Sequence, residues 1–305
     1  MAAEAVDFAC LSRYGLFGRV TFEAYLRRTE TQLRALRGQG LEVHLRVLEP
    51  ADFEDFCEEF GFEPEDREAR VAYAADPELV GRPFVYTGER LAELLPALLA
   101  DHRARVRISI ACAALLAALE GEEAARPRLT AVLGHVVEVY LALVAGAAEG
   151  RHSLRLRSHG PEDGEELTAA AEFRAETGGA ARTAGGGRGR PFVGGHEAEA
   201  FCVTLAAAIA AGGAGELLLL SFRAGRGTPL VRGWLLVEGR LRPMTVPEVF
   251  AALAAAAARG MPTPGGASAR PGFALPLRPV TCSAPGSTSA ADAADGGAGV
   301  GGSPT

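Results

Sequence analysis

Apolar positions along this chain recur with two periods, and the period decides which element each stretch is expected to form. Val6 to Cys10 (VDFAC) alternates and predicts a short strand. Phe22, Tyr25, Leu26, Thr29, Leu33 and Leu36 fall on one helical stripe, with Glu23/Arg27 and Glu30/Arg34 as i,i+4 pairs on the other side. Thr21 is placed to cap this helix and Gly38 to end it. Leu41, Val43, Leu45 and Val47 then alternate with Glu42, His44 and Arg46, which predicts a strand. Strand, helix and strand in that order predict a parallel pair with a right-handed crossover.

Farther along, Pro50 to Gly61 predicts a helix with Phe53, Phe56, Cys57 and Phe60 on one face and acids on the other. Residues 82–87 (RPFVYT) read as a strand. Leu91, Leu94, Leu95, Leu98 and Leu99 read as a helix that Pro96 should kink or restart. Residues 103–110 (RARVRISI) alternate strictly and predict another strand, followed by a buried helix at Ala111–Leu119. The clearest helix runs from Leu129 to Val144, where Leu129, Val132, Leu133, Val136, Val137, Tyr140, Leu141 and Val144 keep the 3.6 period. Leu154 and Leu156, set between Arg155 and Arg157, suggest a strand.

Between Gly160 and Gly195 the pattern dissolves, as a linker or long mobile loop would. Glu197 to Ala211 then reads as a helix. Leu217–Phe222 and Leu230–Val237 read as antiparallel strands, and Pro247 opens a last helix that Gly260 ends. From Met261 the chain is Pro, Gly, Ser and Ala with few charges, so disorder is expected. The expected fold is mixed α/β. It comprises an N-terminal βαβ-containing module (1–158), a flexible linker or loop (159–195), a smaller α-β-β-α unit (196–260) and a disordered tail (261–305). The strands at 217–237 have a second possible place, as an extension of the first sheet.

Composition removes several chemistries. The 31 basic side chains are all arginine, and the chain has neither lysine nor asparagine, as a GC-rich bacterial gene would give. P-loop NTPases, protein kinases and Schiff-base enzymes in standard form need a lysine. The net charge of −7 disfavours nucleic acid and anionic membranes. The start, MAAEAVDF, has no basic leader region, so no secretory signal is expected. Phe201 to Leu220 is the stretch that most resembles a membrane span, but Gly212, Gly213, Gly215 and Glu216 break it into helix, turn and strand. Cys10, Cys57, Cys112, Cys202 and Cys282 are odd in number and scattered, as reduced thiols of a cytoplasmic protein would be. No spacing suits a metal and no cofactor fingerprint is present, so neither is expected.

Two sites are candidates. Beyond the carboxyl end of the first expected strand lie Ser12, Arg13, Tyr14, Gly15, Gly18, Arg19 and Thr21, facing Glu49 and Asp52 after the second. Ligands of parallel α/β sheets bind at such edges, and arginines near a helix N-terminus suit an anionic small molecule. The ridge of Phe53, Phe56 and Phe60 is the candidate surface for a protein partner, although a stripe of this kind most often faces its own core. Arg188-Gly189-Arg190-Pro191 resembles the core of the AT-hook family, which implies minor-groove DNA contact within residues 182–191; the flanking basic residues of that family are missing. Gly297 to Gly302 fits a dinucleotide-loop pattern with no helix after it. Of the histidines, His135 is expected on the solvated face of its helix. The reading that results is an interaction protein acting on a protein partner. An anion-binding module, with or without catalysis, is the alternative, and weak DNA binding the second.

Overall fold

The structure, a computed structural model, describes residues 1–76, 84–120, 125–159, 166–175, 181–183, 194–222, 228–261 and 265–277. It is mixed α/β. The first element is a helix, which corrects the expected strand. α1 (Ala5–Leu11) buries Phe8 and Leu11, an i,i+3 pair, and leaves Val6 exposed. Five residues are too few to separate a period of 2 from one of 3.6, and Asp7 in the first turn suits a helix N-terminus. The expected parallel β–α–β opening is therefore not formed.

A 3-10 turn (Ser12–Tyr14) leads to α2 (Phe22–Gly38), whose Thr21 cap accepts a hydrogen bond from the Ala24 N–H at 3.3 Å. β1 (Val43–Leu45), α3 (Pro50–Phe60), α4 (Arg67–Ala75) and β2 (Phe84–Tyr86) follow. β1 and β2 pair antiparallel, Val43 opposite Tyr86, in a sheet of their own.

α5 (Leu91–Ala117) runs unbroken through Pro96 and through residues 103–110, where the alternation predicts a strand. Leu94, Leu98, Asp101, Ala104, Ala111 and Leu115 are buried at helical spacing. The Arg105 guanidinium reaches back one turn to Asp101 at 2.7 Å, a pairing only a helix allows. α6 (Ala125–Ala145) covers the long periodic stretch.

Next come β3 (Gly150–His159), β4 (Glu166–Ala175), β5 (Ala181–Thr183), α7 (Gly194–Ala210), β6 (Gly215–Phe222), β7 (Leu230–Val237), β8 (Arg240–Pro243), α8 (Val246–Ala258) and β9 (Ser268–Pro271). β4 lies inside the expected linker. Its Leu167, Ala169, Ala171 and Phe173 are buried in strict alternation, a pattern that two alanines hide from a hydrophobicity reading. β9 lies inside the expected tail; residues 278–305 fall outside those described.

The second sheet runs β5-β4-β3-β6-β7-β8, and β9 lies parallel to the first half of β7. Every other pairing is antiparallel. β3 bonds to β6 along its length, so the strands at 215–237 extend the sheet that holds β3. One face of this sheet meets α7, with α5 and α6 outside it, in the largest core. The other face meets α8 in a smaller one. Trp234 on β7 is sealed by the chain after β9: its Nε1–H donates to the Phe273 carbonyl at 2.8 Å, and the two rings meet edge to face. Phe273 also passes so close to Gly146 that a Cβ there would lie 2.3 Å from its ring.

Candidate functional site

The residues expected to bind an anion do not sit at a strand end. Ser12 donates to the Phe8 carbonyl at 2.6 Å and closes α1. Tyr14 donates to Glu54 of α3, and that bond raises the phenol's pKa. Gly15 and Gly18 take left-handed backbone, φ 67° and 70°, where a side chain would be strained. Thr21 caps α2. Arg13 and Arg19 are exposed. Behind the turn, Phe8, Phe17, Phe22 and Tyr25 form an aromatic cluster, with Phe8 and Phe17 stacked at 4.9 Å.

Glu49 belongs to a different group. Its carboxylate meets His102 of α5 at 2.8 Å. Asp52 and Asp7 lie near enough to feel it: burial first, then neighbouring carboxylates including Glu49, raise both of their pKa values. The structure thus brings Glu49 and Asp52 together with Asp7 and His102 as a junction of α1, α3 and α5.

The phenylalanine ridge divides. Phe53 and Phe56 are buried with Phe8, Cys57 and Tyr73 between α1, α3 and α4, and Phe53 and Phe56 each meet Tyr73 edge to face. Phe60 alone of the three is exposed. Arg188 to Pro191 lie outside the described residues. Cys57 is buried, Cys10, Cys112 and Cys202 are partly so, and all four are free. Burial pushes the Cys202 thiol up to about 11.

One pair was invisible in the sequence. His152 of β3 and Ser221 of β6 sit directly opposite each other and are both buried. The His152 Nε2 lies 2.6 Å from the Ala148 carbonyl, which only accepts. In the neutral ring Nδ1 is then the acceptor, and Ser221 donates to it at 3.0 Å. His152 also stacks on Phe173. Serine and histidine of this kind resemble a hydrolytic dyad in chemistry, but here both are closed inside the core and hold two strands in register.

An exposed apolar line lies on α6. Val132, His135, Val136, Val139 and Leu143 face inward, so the expected solvated His135 is corrected to a buried one. It occupies the inner face because Val132, Val136 and Val139 surround it at helical spacing. Opposite lie Leu133, Val137 and Leu141, 39%, 52% and 59% exposed. They are four residues apart, about 6 Å per step at 1.5 Å rise per residue, and form one apolar line with Gly134 and Ala145 beside it. The sequence signal was present: Leu133, Val137 and Leu141 add a second apolar stripe to the Val132, Val136 and Val139 face, more than one buried face needs. By length and composition α6 could cross a membrane, yet one side of it is committed to α7.

A family model described as a domain of unknown function (DUF8829) matches residues 1–89, from α1 through β2 and ending before α5. No curated protein matches the chain, and no solved structure does.

Proposed function

We propose that the protein acts by protein–protein contact through the exposed face of α6, and that the surface takes a second copy of the same chain. The observation that carries this reading is the line Leu133, Val137, Leu141. It is symmetric about Val137. Two antiparallel α6 helices therefore set Leu133 of each copy against Leu141 of the other, with Val137 on the two-fold axis, as a self-complementary interface requires. Charge agrees with this register. Arg126 lies on the same side of α6, about 16 Å before Val137 at 1.5 Å per residue. Glu149 is exposed just beyond the other end of the helix. The antiparallel pairing brings Arg126 of each copy to Glu149 of the other, near a helix C-terminus, where a cation is favoured.

Analytical ultracentrifugation of the full chain tests the proposal. The expected result is a dimer that Val137→Glu converts to monomer with an unchanged thermal midpoint, since Val137 is exposed in the single chain. Arg126→Glu should weaken the dimer several-fold, and adding Glu149→Arg should restore it. A monomer at all concentrations overturns the reading. So does a monomer that floats with anionic vesicles, which would make α6 a membrane surface.

A further inference from the structure

A cleft lies beside α8, on the face of the large sheet away from α7, and its origin is legible in the residues. Register places side chains there in rows: Thr168–Arg157–Glu216 and Ala170–Arg155–Leu218 across β4, β3 and β6. α8 covers Leu218, Leu220 and Val231 with Val249 and Leu253. Beyond Leu253 the helix is alanine (AAAAA), too small to fill the space toward β3 and β4. The result is a cleft of about 250 Å³ with Leu218, Leu220, Leu253, Ala256 and Met261 on its apolar wall.

Arginine dominates the charged lining. Arg107, Arg155 and Arg157 line the cleft, with Glu216 as the acid among them. Glu216 is already met by Arg259 at 2.9 Å. Arg157 is held in place by Glu166, with bonds of 2.6 and 2.8 Å. Arg107, on α5, is exposed. Arg107, Arg155 and Arg157 thus put guanidinium groups beside an apolar wall, in a chain whose net charge is −7. Such a combination favours a ligand with one anionic end and an apolar body.

We infer that the cleft binds a small monocarboxylate with a medium-length hydrocarbon chain, its carboxylate toward the arginines and its chain against Leu218, Leu220 and Leu253. The space equals about eight waters at ~30 Å³ each, which fits an acid of that size.

Calorimetric titration of the full chain with octanoate and with octanol tests this. Octanoate should bind, and octanol more weakly by about tenfold, the scale of losing one hydrogen bond to a charged group. Arg107→Gln, at an exposed position, should weaken octanoate and leave octanol unchanged. Ala170→Phe fills the cleft from an exposed strand position that tolerates an aromatic ring. It should abolish binding of both while the thermal midpoint holds. Absence of octanoate binding at millimolar concentration overturns the inference. So does equal affinity for the two probes, or binding that survives Ala170→Phe.

Discussion

The two faces of the seven-stranded sheet share the same strands but are finished differently. On the first face, Leu154, Leu156, Phe173, Leu217, Leu219 and Trp234 lie under α7, whose Phe201, Leu205 and Ile209 are buried to within 1% exposure. On the second, β6 and β7 are covered by α8, while β3 and β4 present Arg155, Arg157, Thr168, Ala170 and Glu172. The strands begin this difference, because each one alternates sides and β3 and β4 turn Arg155, Arg157, Thr168 and Glu172 to the second face. The covering helices complete it. α7 brings Phe201, Leu205 and Ile209 among buried alanines and packs against α5 and α6; α8 brings Val249 and Leu253 and, beyond Leu253, only alanine to its end. One face closes into a core and the other stops halfway, leaving a cleft at the edge. Stability is thus concentrated on one face of a sheet and binding capacity on the other.

The heaviest test of that division is Trp234→Ala. Trp234 is fully buried on the first face and donates to the chain after β9. Its loss should cost about 3–5 kcal/mol, read as a lowered urea midpoint, and should release Phe273 from its place. A loss below ~1 kcal/mol would mean the first face is not where stability resides.

A smaller effect is expected from Ser221→Ala. It removes the hydroxyl that donates to the buried His152 Nδ1, at about 1–3 kcal/mol. The double variant Ser221→Ala/His152→Leu removes both polar groups and should be more stable than the single variant in the same unfolding assay. A double variant less stable than the single one would show that His152 contributes mainly by packing on Phe173.

How much of this was readable beforehand depended on side-chain size. α3, α6, β6, β7 and α8 were legible because Phe, Leu and Val mark their periods over several residues. β4 was lost because alanines at 169 and 171 carry its inward face, and an alanine hardly distinguishes inside from outside. α1 and residues 103–110 carry a strand-like pattern for the opposite cause: Val6 and Phe8, or Val106, Ile108 and Ile110, alternate over too short a span, and helix packing overrides the local pattern. The candidate sites fared by the same logic. The turn at 12–21 and the ridge at 53–60 were visible as residues, but no sequence feature tells that Phe53 and Phe56 turn inward while Leu133, Val137 and Leu141 turn outward. The cleft rests on cross-strand neighbours such as Arg157 and Glu216, 59 residues apart by their numbers, and long-range register is not written in local spacing.

The mildest test acts on α8 alone. Its start is a capping box in which Thr245 and Glu248 satisfy each other's backbone groups, and Arg242 adds a bond to Glu248 at 2.6 Å. Arg242 and the Thr245 bonds hold the Glu248 carboxyl at about 2, below its ordinary 4.5. A carboxylate depressed on folding adds stability that is complete above its unfolded value. That stability is lost as pH falls through the folded value. Protection of α8 amides against hydrogen exchange should therefore decline between pH 4.5 and about 2, while α7 amides keep theirs. Glu248→Gln should remove most of this pH dependence, and Thr245→Ala should lower stability by about 1 kcal/mol at neutral pH, less once Glu248 is protonated, because the Thr245 hydroxyl is one of the groups that hold that carboxylate. If α7 and α8 lost protection together on acidification, the two faces would be one cooperative unit. The cleft beside α8 would then have no freedom to open independently of the core behind it.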